Sequence, residues 1–194
     1  MNDFSHAIDG GSGIDTVAFS GARSAFSVAG VAGGFTIGAA AGGAKNTLVN
    51  VERIQFNDGN LALDVDGSGN GGQVYRLYQA AFNRAPDSIG AGFWLRAMDA
   101  GVSLLDISTG FVGSIEFQNL YGAQSDNAAI VLGLYHNTLH REPDQEGYNF
   151  WLNVLNEHRA SVQQVLMGFS ESPENQAQVA TVIGNGFVYT PYVG

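Results

Sequence analysis

Laid over itself at one offset, the second half of the chain repeats. Leu77-Tyr78 falls over Leu134-Tyr135, Arg84 over Arg141, Pro86-Asp87 over Pro143-Asp144, Gly90 over Gly147, and Phe93-Trp94-Leu95 over Phe150-Trp151-Leu152. A single extra residue in the second copy then sets Gly110-Phe111 over Gly168-Phe169, and Ser114 and Glu116 over Ser172 and Glu174. A repeat of this kind constrains the fold strongly, because one supersecondary unit is made twice and each copy buries its apolar face against a neighbour.

The unit reads as helical. From Gln73 onward apolar residues recur three and four apart (Val74, Leu77, Tyr78, Ala81, Phe82), the spacing of an amphipathic helix. Start and stop signals divide each copy into about four short helices. Asp87 and Asp144 follow proline, where a carboxylate caps free amides. Gly101 ends the second helix, and Ser103 and Ser161 open the third with Asp106 and Gln164 as capping-box partners. Ser114 and Ser172 cap the fourth, and Pro173 takes a first-turn position that needs no amide hydrogen.

The first 66 residues differ. They are rich in Gly, Ala, Val, Phe and Ser, with short alternations such as Ala25-Phe26-Ser27-Val28 and Gly34-Phe35-Thr36-Ile37 that predict half-buried strands. Asp58-Gly59, set between Phe56 and Leu61, predicts a tight hairpin. The expected architecture is therefore two domains: an all-β segment at 1–66, a Gly-rich linker at 67–72, and an all-α segment at 73–180 with copies at 73–122 and 130–180. Residues 181–194 are expected as a tail.

Charge narrows the partners. Eighteen acidic side chains stand against eight basic ones, and Lys45 is the only lysine. Nucleic acid and anionic membrane, both held by clustered Lys and Arg, are excluded as expected partners. No apolar run approaches the length of a membrane span, and Met1-Asn2-Asp3-Phe4 lacks the features of a signal peptide. An acidic, cysteine-free, Gly-rich chain fits an extracellular protein ordered by divalent cations in place of disulfides.

The strongest local motif is Gly10-Gly11-Ser12-Gly13-Ile14-Asp15-Thr16-Val17-Ala18, which fits the nonapeptide GGxGxDxUx. Glycines allow a tight turn with inward carbonyls, Asp15 offers a hard carboxylate oxygen, and Val17 points to a core. The motif resembles the RTX (hemolysin-type) calcium-binding repeat, whose calcium lies between neighbouring turns. That resemblance implies Ca2+ as cofactor, with Asp9, Gly11, Gly13 and Asp15 at the metal, and Asp3 as a further upstream candidate. The segment from Asn50 to Asp64 resembles the one that follows RTX rolls in secreted proteins, including serralysin-type proteases, so the β domain is expected to be the end of an RTX β-roll with capping strands.

Two further metal candidates arise from spacing. Asp64-Val65-Asp66-Gly67-Ser68-Gly69-Asn70 places oxygen donors as in an EF-hand loop, but its twelfth position is Tyr75 where a bidentate glutamate belongs. Asp64 and Asp66 are thus weak calcium candidates, and a plain linker is the better expectation. His136 and His140 stand four apart on a predicted helix, a metal-binding spacing, yet the first copy has Gln79 and Asn83 there.

The shared pattern of the helical copies (Leu-Tyr, Arg-x-Pro-Asp-x-x-Gly, Phe-Trp-Leu, Ser-x-Glu) resembles the domain of unknown function 4214, over residues 73–180. The resemblance brings no activity, and it implies association with a cell surface or an extracellular glycan; Asp87, Trp94, Asp144 and Trp151 are the candidate ligand-binding residues. The register of Arg84 with Glu116, and of Arg141 with Glu174, predicts one structural ion pair per copy. No serine elbow, phosphate loop or cysteine nucleophile is present, so the chain is not expected to be an enzyme. The expected function is a non-catalytic, calcium-binding C-terminal module of a secreted or cell-surface bacterial protein, exported by a type I machinery that reads a signal near Asn185–Tyr192. The alternatives are a carbohydrate-binding module and a domain appended to an extracellular hydrolase.

Overall fold

The computed structural model describes residues 5–122 and 126–193, so Asp3 lies outside the described residues. By its contacts the chain divides into two compact units. One comprises Met1–Gly72, Asp87–Asp99 and Ala180–Gly194; the other comprises Gln73–Pro86 and Ala100–Val179.

The first unit carries the strands. They are β1 (Ala7–Asp9), β2 (Thr16–Ala18), β3 (Phe26–Val31), β4 (Gly34–Ala39), β5 (Lys45–Val49), β6 (Arg53–Phe56), β7 (Gly59–Ala62) and β8 (Phe187–Tyr189). They form two sheets, in the orders β1-β5-β4-β3 and β2-β6-β7-β8. β1 runs parallel to β5, with Ile8 opposite Leu48, and β2 runs parallel to β6, with Val17 opposite Ile54. The two strand–turn–strand segments, β1 to β2 and β5 to β6, therefore stack on one another in both sheets. Alternation buries Val28, Ile37, Leu48, Ile54, Phe56 and Leu61 in one core, with Phe19, Phe26 and Phe56 in ring contact.

Two local expectations need correction. The hairpin joining β6 to β7 pairs Phe56 with Gly59, so its turn residues are Asn57 and Asp58, and Gly59 begins the returning strand. The Asp58 carboxylate is instead used at a distance, accepting the Arg23 N–H at 2.7 Å. The C-terminal tail is also ordered: β8 pairs antiparallel with β7, Leu61 opposite Val188, and buries Phe187 and Tyr189.

The helices are α1 (Asn70–Phe82), α2 (Ser88–Asp99), α3 (Leu104–Val112), α4 (Ile115–Tyr121), α5 (Asn127–Leu139), α6 (Gln145–Asn156), α7 (Val162–Ser170) and α8 (Pro173–Ile183). Four helices per copy appear, and their boundaries follow the caps. Asp87 and Asp144 accept the N–H groups of Gly90 and Gly147 at 2.7 and 2.8 Å. Ser161 and Gln164 form a reciprocal capping box, and Pro173 opens α8. The first and second helices of each copy end on matching left-handed residues, Asn83 with His140 and Gly101 with His158. The extra residue of the second copy therefore lies between His158 and Ser161, in the turn before α7. α1 starts at Asn70, so part of the expected linker is helical. No described helix is long and apolar enough to cross a membrane.

The copies are not equal at their contacts. Arg76, only 2% exposed, is gripped through Nε and Nη2 by both oxygens of Glu171, which also accepts from Ser170 Oγ at 3.0 Å. The matching residues are Gly133 and Gly113. At Gly133 the Tyr121 ring fills the space: a Cβ there would meet Tyr121 Cε1 at 2.5 Å. Burial pushes the Tyr121 phenol up to about 12, against a hydrogen bond at 2.9 Å from the Asn137 amide.

Candidate functional site

The turn from Gly10 to Asp15 joins β1 to β2 and lies on the Asn50–Glu52 turn that joins β5 to β6. Gly11 and Gly13 hold φ of 88° and 114°, values that glycine adopts without strain. Gly10 has a different reason: a Cβ there would stand 2.0 Å from the Asn50 carbonyl oxygen. Backbone and side chains tie the two turns. Gly10 N–H donates to Val49 O at 3.0 Å, and Asp15 O accepts from Glu52 N and Arg53 N at 3.2 and 3.0 Å.

Three carboxylates bear on this turn. Asp9 Oδ1 accepts from Gly11 N at 3.0 Å and from Asn50 Nδ2 at 2.9 Å, and Glu52 Oε2 accepts from Asp15 N at 2.8 Å. Asp15 Oδ2 is buried and has no hydrogen-bond partner among the described residues. A solitary buried carboxylate oxygen is costly unless something positive reaches it. Among the described residues no three His, Cys, Asp or Glu side chains already converge as a metal cage. The donor set at the turn, carboxylate and carbonyl oxygens with no nitrogen or sulfur ligand, has the hardness calcium requires.

Asp64 and Asp66 separate. Asp66 is exposed, whereas the Asp64 carboxylate, with its side chain 10% exposed, contacts Arg53. Arg53 also donates through Nη2 to Asp99 at 2.8 and 3.1 Å, and Asn70 Nδ2 donates to Asp99 at 2.8 Å. Asp64 further accepts Gly72 N–H at its backbone oxygen, at 2.9 Å, at the start of α1. The oxygen-rich loop thus acts as a helix entry. Burial pushes the Asp64 carboxyl above its usual range, and Arg53 opposes that shift.

The ion pairs of the two copies share one geometry. Arg84 reaches Glu116 through Nε at 2.6 Å and Nη2 at 2.8 Å; Arg141 reaches Glu174 through the same atoms at 2.9 and 3.1 Å. Each guanidinium also lies over a tyrosine ring, Tyr78 or Tyr135, at 5.2 Å. Hydrogen bonds from Arg141 hold the Glu174 carboxyl below its usual range.

Trp94 and Trp151 are half-buried, and Trp151 packs against Phe169 at 5.3 Å between ring centroids. Asp87 and Asp144 are occupied as caps. His136 Nε2 lies 2.9 Å from Glu142, and His140, the left-handed cap of α5, meets Gln79 Nε2 at 3.0 Å. The two imidazoles therefore have separate partners.

Arg53, Asp99, Arg76 and Glu171 were not singled out by sequence. The one local signal among them is Arg76, a basic residue inside the apolar run from Val74 to Leu77.

Two matches to the family described as domain of unknown function (DUF4214) cover residues 68–121 and 108–179. No curated protein and no solved structure matches the chain. The family matches overlap, span more than half of the sequence, and take in all eight helices with their paired Arg–Glu clamps, except for the last residues of α8. The chain belongs to the DUF4214 family and carries the family's helical unit in tandem.

Proposed function

We propose that this chain is a non-catalytic, calcium-binding module of a secreted or cell-surface bacterial protein, in which a cation at the Gly10–Asp15 turn orders the β unit. The observation that carries the reading is Asp15 Oδ2, buried and without a hydrogen-bond partner among the described residues, at a turn where Gly11 and Gly13 take positive φ. The parallel stacking of β1 on β5 and of β2 on β6 supports its resemblance to the end of an RTX β-roll. Asp15 would supply the first carboxylate oxygen, with Asp9 and turn carbonyls beside it. The cation supplies the positive charge that Asp9, Asp15 and Glu52 together lack.

Export fits the same reading. Calcium is scarce inside cells and abundant outside, so the β unit stays loose before secretion and orders after it. The proposed export segment, Asn185–Tyr192, contains β8, so an export machinery reads it only while that strand is unpaired. The helical copies then serve surface association.

Thermal melting with calcium and with chelator tests this. Saturating calcium, about a hundredfold above its Kd, adds roughly 2.7 kcal/mol. For a chain of this size that raises Tm by at least about 5 °C. Asp15→Asn should remove the shift, and in chelator it should melt no lower than the wild type, because it relieves an unpaired buried carboxylate oxygen. A Tm indifferent to calcium in the wild type rejects the proposal.

A further inference from the structure

The outward face of α6 breaks the rules that govern its neighbours. At about 100° per residue, Gln145, Glu146, Asn149, Phe150, Asn153 and Glu157 fall on one side of the helix, and all are exposed. An ordinary solvent face favours Ala, Lys, Glu or Arg, whereas asparagine is among the poorer helix formers. Here Asn149 and Asn153 stand one turn apart, and Phe150 beside them is 53% exposed. Phe150 is fixed in place, edge-on to Trp151 with ring centroids 5.0 Å apart. Local choices that oppose helix stability without serving the core mark a surface kept for something else.

The equivalent face in the first copy shows what such a ring does. Phe93, at the position of Phe150, meets the ring of Tyr192 at 5.1 Å, and Arg96 donates to the Tyr192 carbonyl at 3.2 Å. Gly92 permits this approach, since a Cβ there would stand 1.8 Å from Thr190 O. The second copy has Asn149 for Gly92 and Asn153 for Arg96. Asn149 carries the Cβ that a peptide backbone would strike, and both positions now present amides: Asn149 Oδ1 accepts from Gln145 Nε2 at 3.0 Å, which leaves its Nδ2 to donate, and Asn153 offers donors and an acceptor. The face has exchanged a peptide-binding character for one suited to hydroxyl groups.

We propose that this face of α6 binds a neutral saccharide. Phe150 stacks on the C–H face of a sugar ring, and Asn153 and Asn149 exchange hydrogen bonds with its hydroxyls. Charge selects the class: the chain carries a formal charge of −10, and Glu146 stands one turn before Phe150 on the same face, so acidic polysaccharides are repelled. These residues lie outside the Gly10–Asp15 turn, so failure here leaves the calcium reading standing.

Affinity electrophoresis of the full chain in gels containing dextran, laminarin, galactomannan or soluble starch, with alginate as the acidic control, tests the proposal. At least one neutral polymer should retard the wild type and alginate should not. Phe150→Ala should abolish the retardation and Asn153→Ala weaken it several-fold, while Phe93→Ala leaves it intact. Phe150 is exposed, so an unchanged helical circular dichroism signal shows that its variant is folded. The proposal is overturned if no neutral polymer retards the wild type, if alginate alone does, or if folded Phe150→Ala migrates as the wild type does.

Discussion

Replacing Glu171 with alanine is expected to cost about 3–5 kcal/mol, because it takes from a buried guanidinium the carboxylate that grips it through both oxygens. Arg76 is 2% exposed, and Glu171 binds it through both carboxylate oxygens. Chemical denaturation should show this as a large drop in midpoint with little change in slope. The double variant Arg76→Met, Glu171→Leu should recover most of the loss, since apolar residues of similar volume replace a buried pair at little cost. Glu174→Ala removes the partner of Arg141 at a pair whose side chains are both 42% exposed, and should cost no more than about 1 kcal/mol. If Glu171→Ala and Glu174→Ala behave alike, the buried bridge is not what holds the two copies together.

Arg53→Met should be comparably severe at neutral pH, about 3–5 kcal/mol, for the mirror-image reason: it leaves Asp64 buried without its cation. Its pH dependence has a definite sign. Burial raises the Asp64 carboxyl while Arg53 and the Gly71 backbone N–H counteract that, so removing Arg53 takes away the larger opposing effect and raises it further. A carboxyl whose folded pKa exceeds its unfolded value binds more protons when folded. Its contribution is fully present below the unfolded pKa and is lost as pH rises through the folded one. The deficit of the variant relative to the wild type should therefore shrink as pH falls from neutrality toward about 4, near the ordinary carboxylate value. A deficit that grows toward acid would contradict this account of Asp64.

What was legible in the sequence was what is local or repeated. Helix caps are short-range devices, so Asp87, Ser103, Asp144 and Ser161 announce the starts of their helices. The Arg84–Glu116 and Arg141–Glu174 clamps, though distant in sequence, were readable because the same spacing occurs twice. The cross-copy bridge from Arg76 to Glu171 was hidden because it departs from the repeat: its counterparts are Gly133 and Gly113. The grouping of α2 with the β strands turns on Gly92, which lets the Thr190 backbone close in where the second copy has Asn149. At Asp64 the oxygen donors suited to a cation loop serve a helix start and a buried arginine equally well, and spacing does not separate those uses. The glycine turn was legible as a motif, but its stacking on Asn50–Glu52, a turn with no matching pattern, required the parallel pairing of distant strands.

Two-dimensional 15N–1H spectra recorded through a calcium titration test the Gly10–Asp15 turn as a calcium site residue by residue. Saturable shifts should concentrate in Gly10–Ala18 and Asn50–Arg53, with none in Asp15→Asn. An unchanged spectrum, or shifts confined to the Asp64–Asn70 loop, would contradict it.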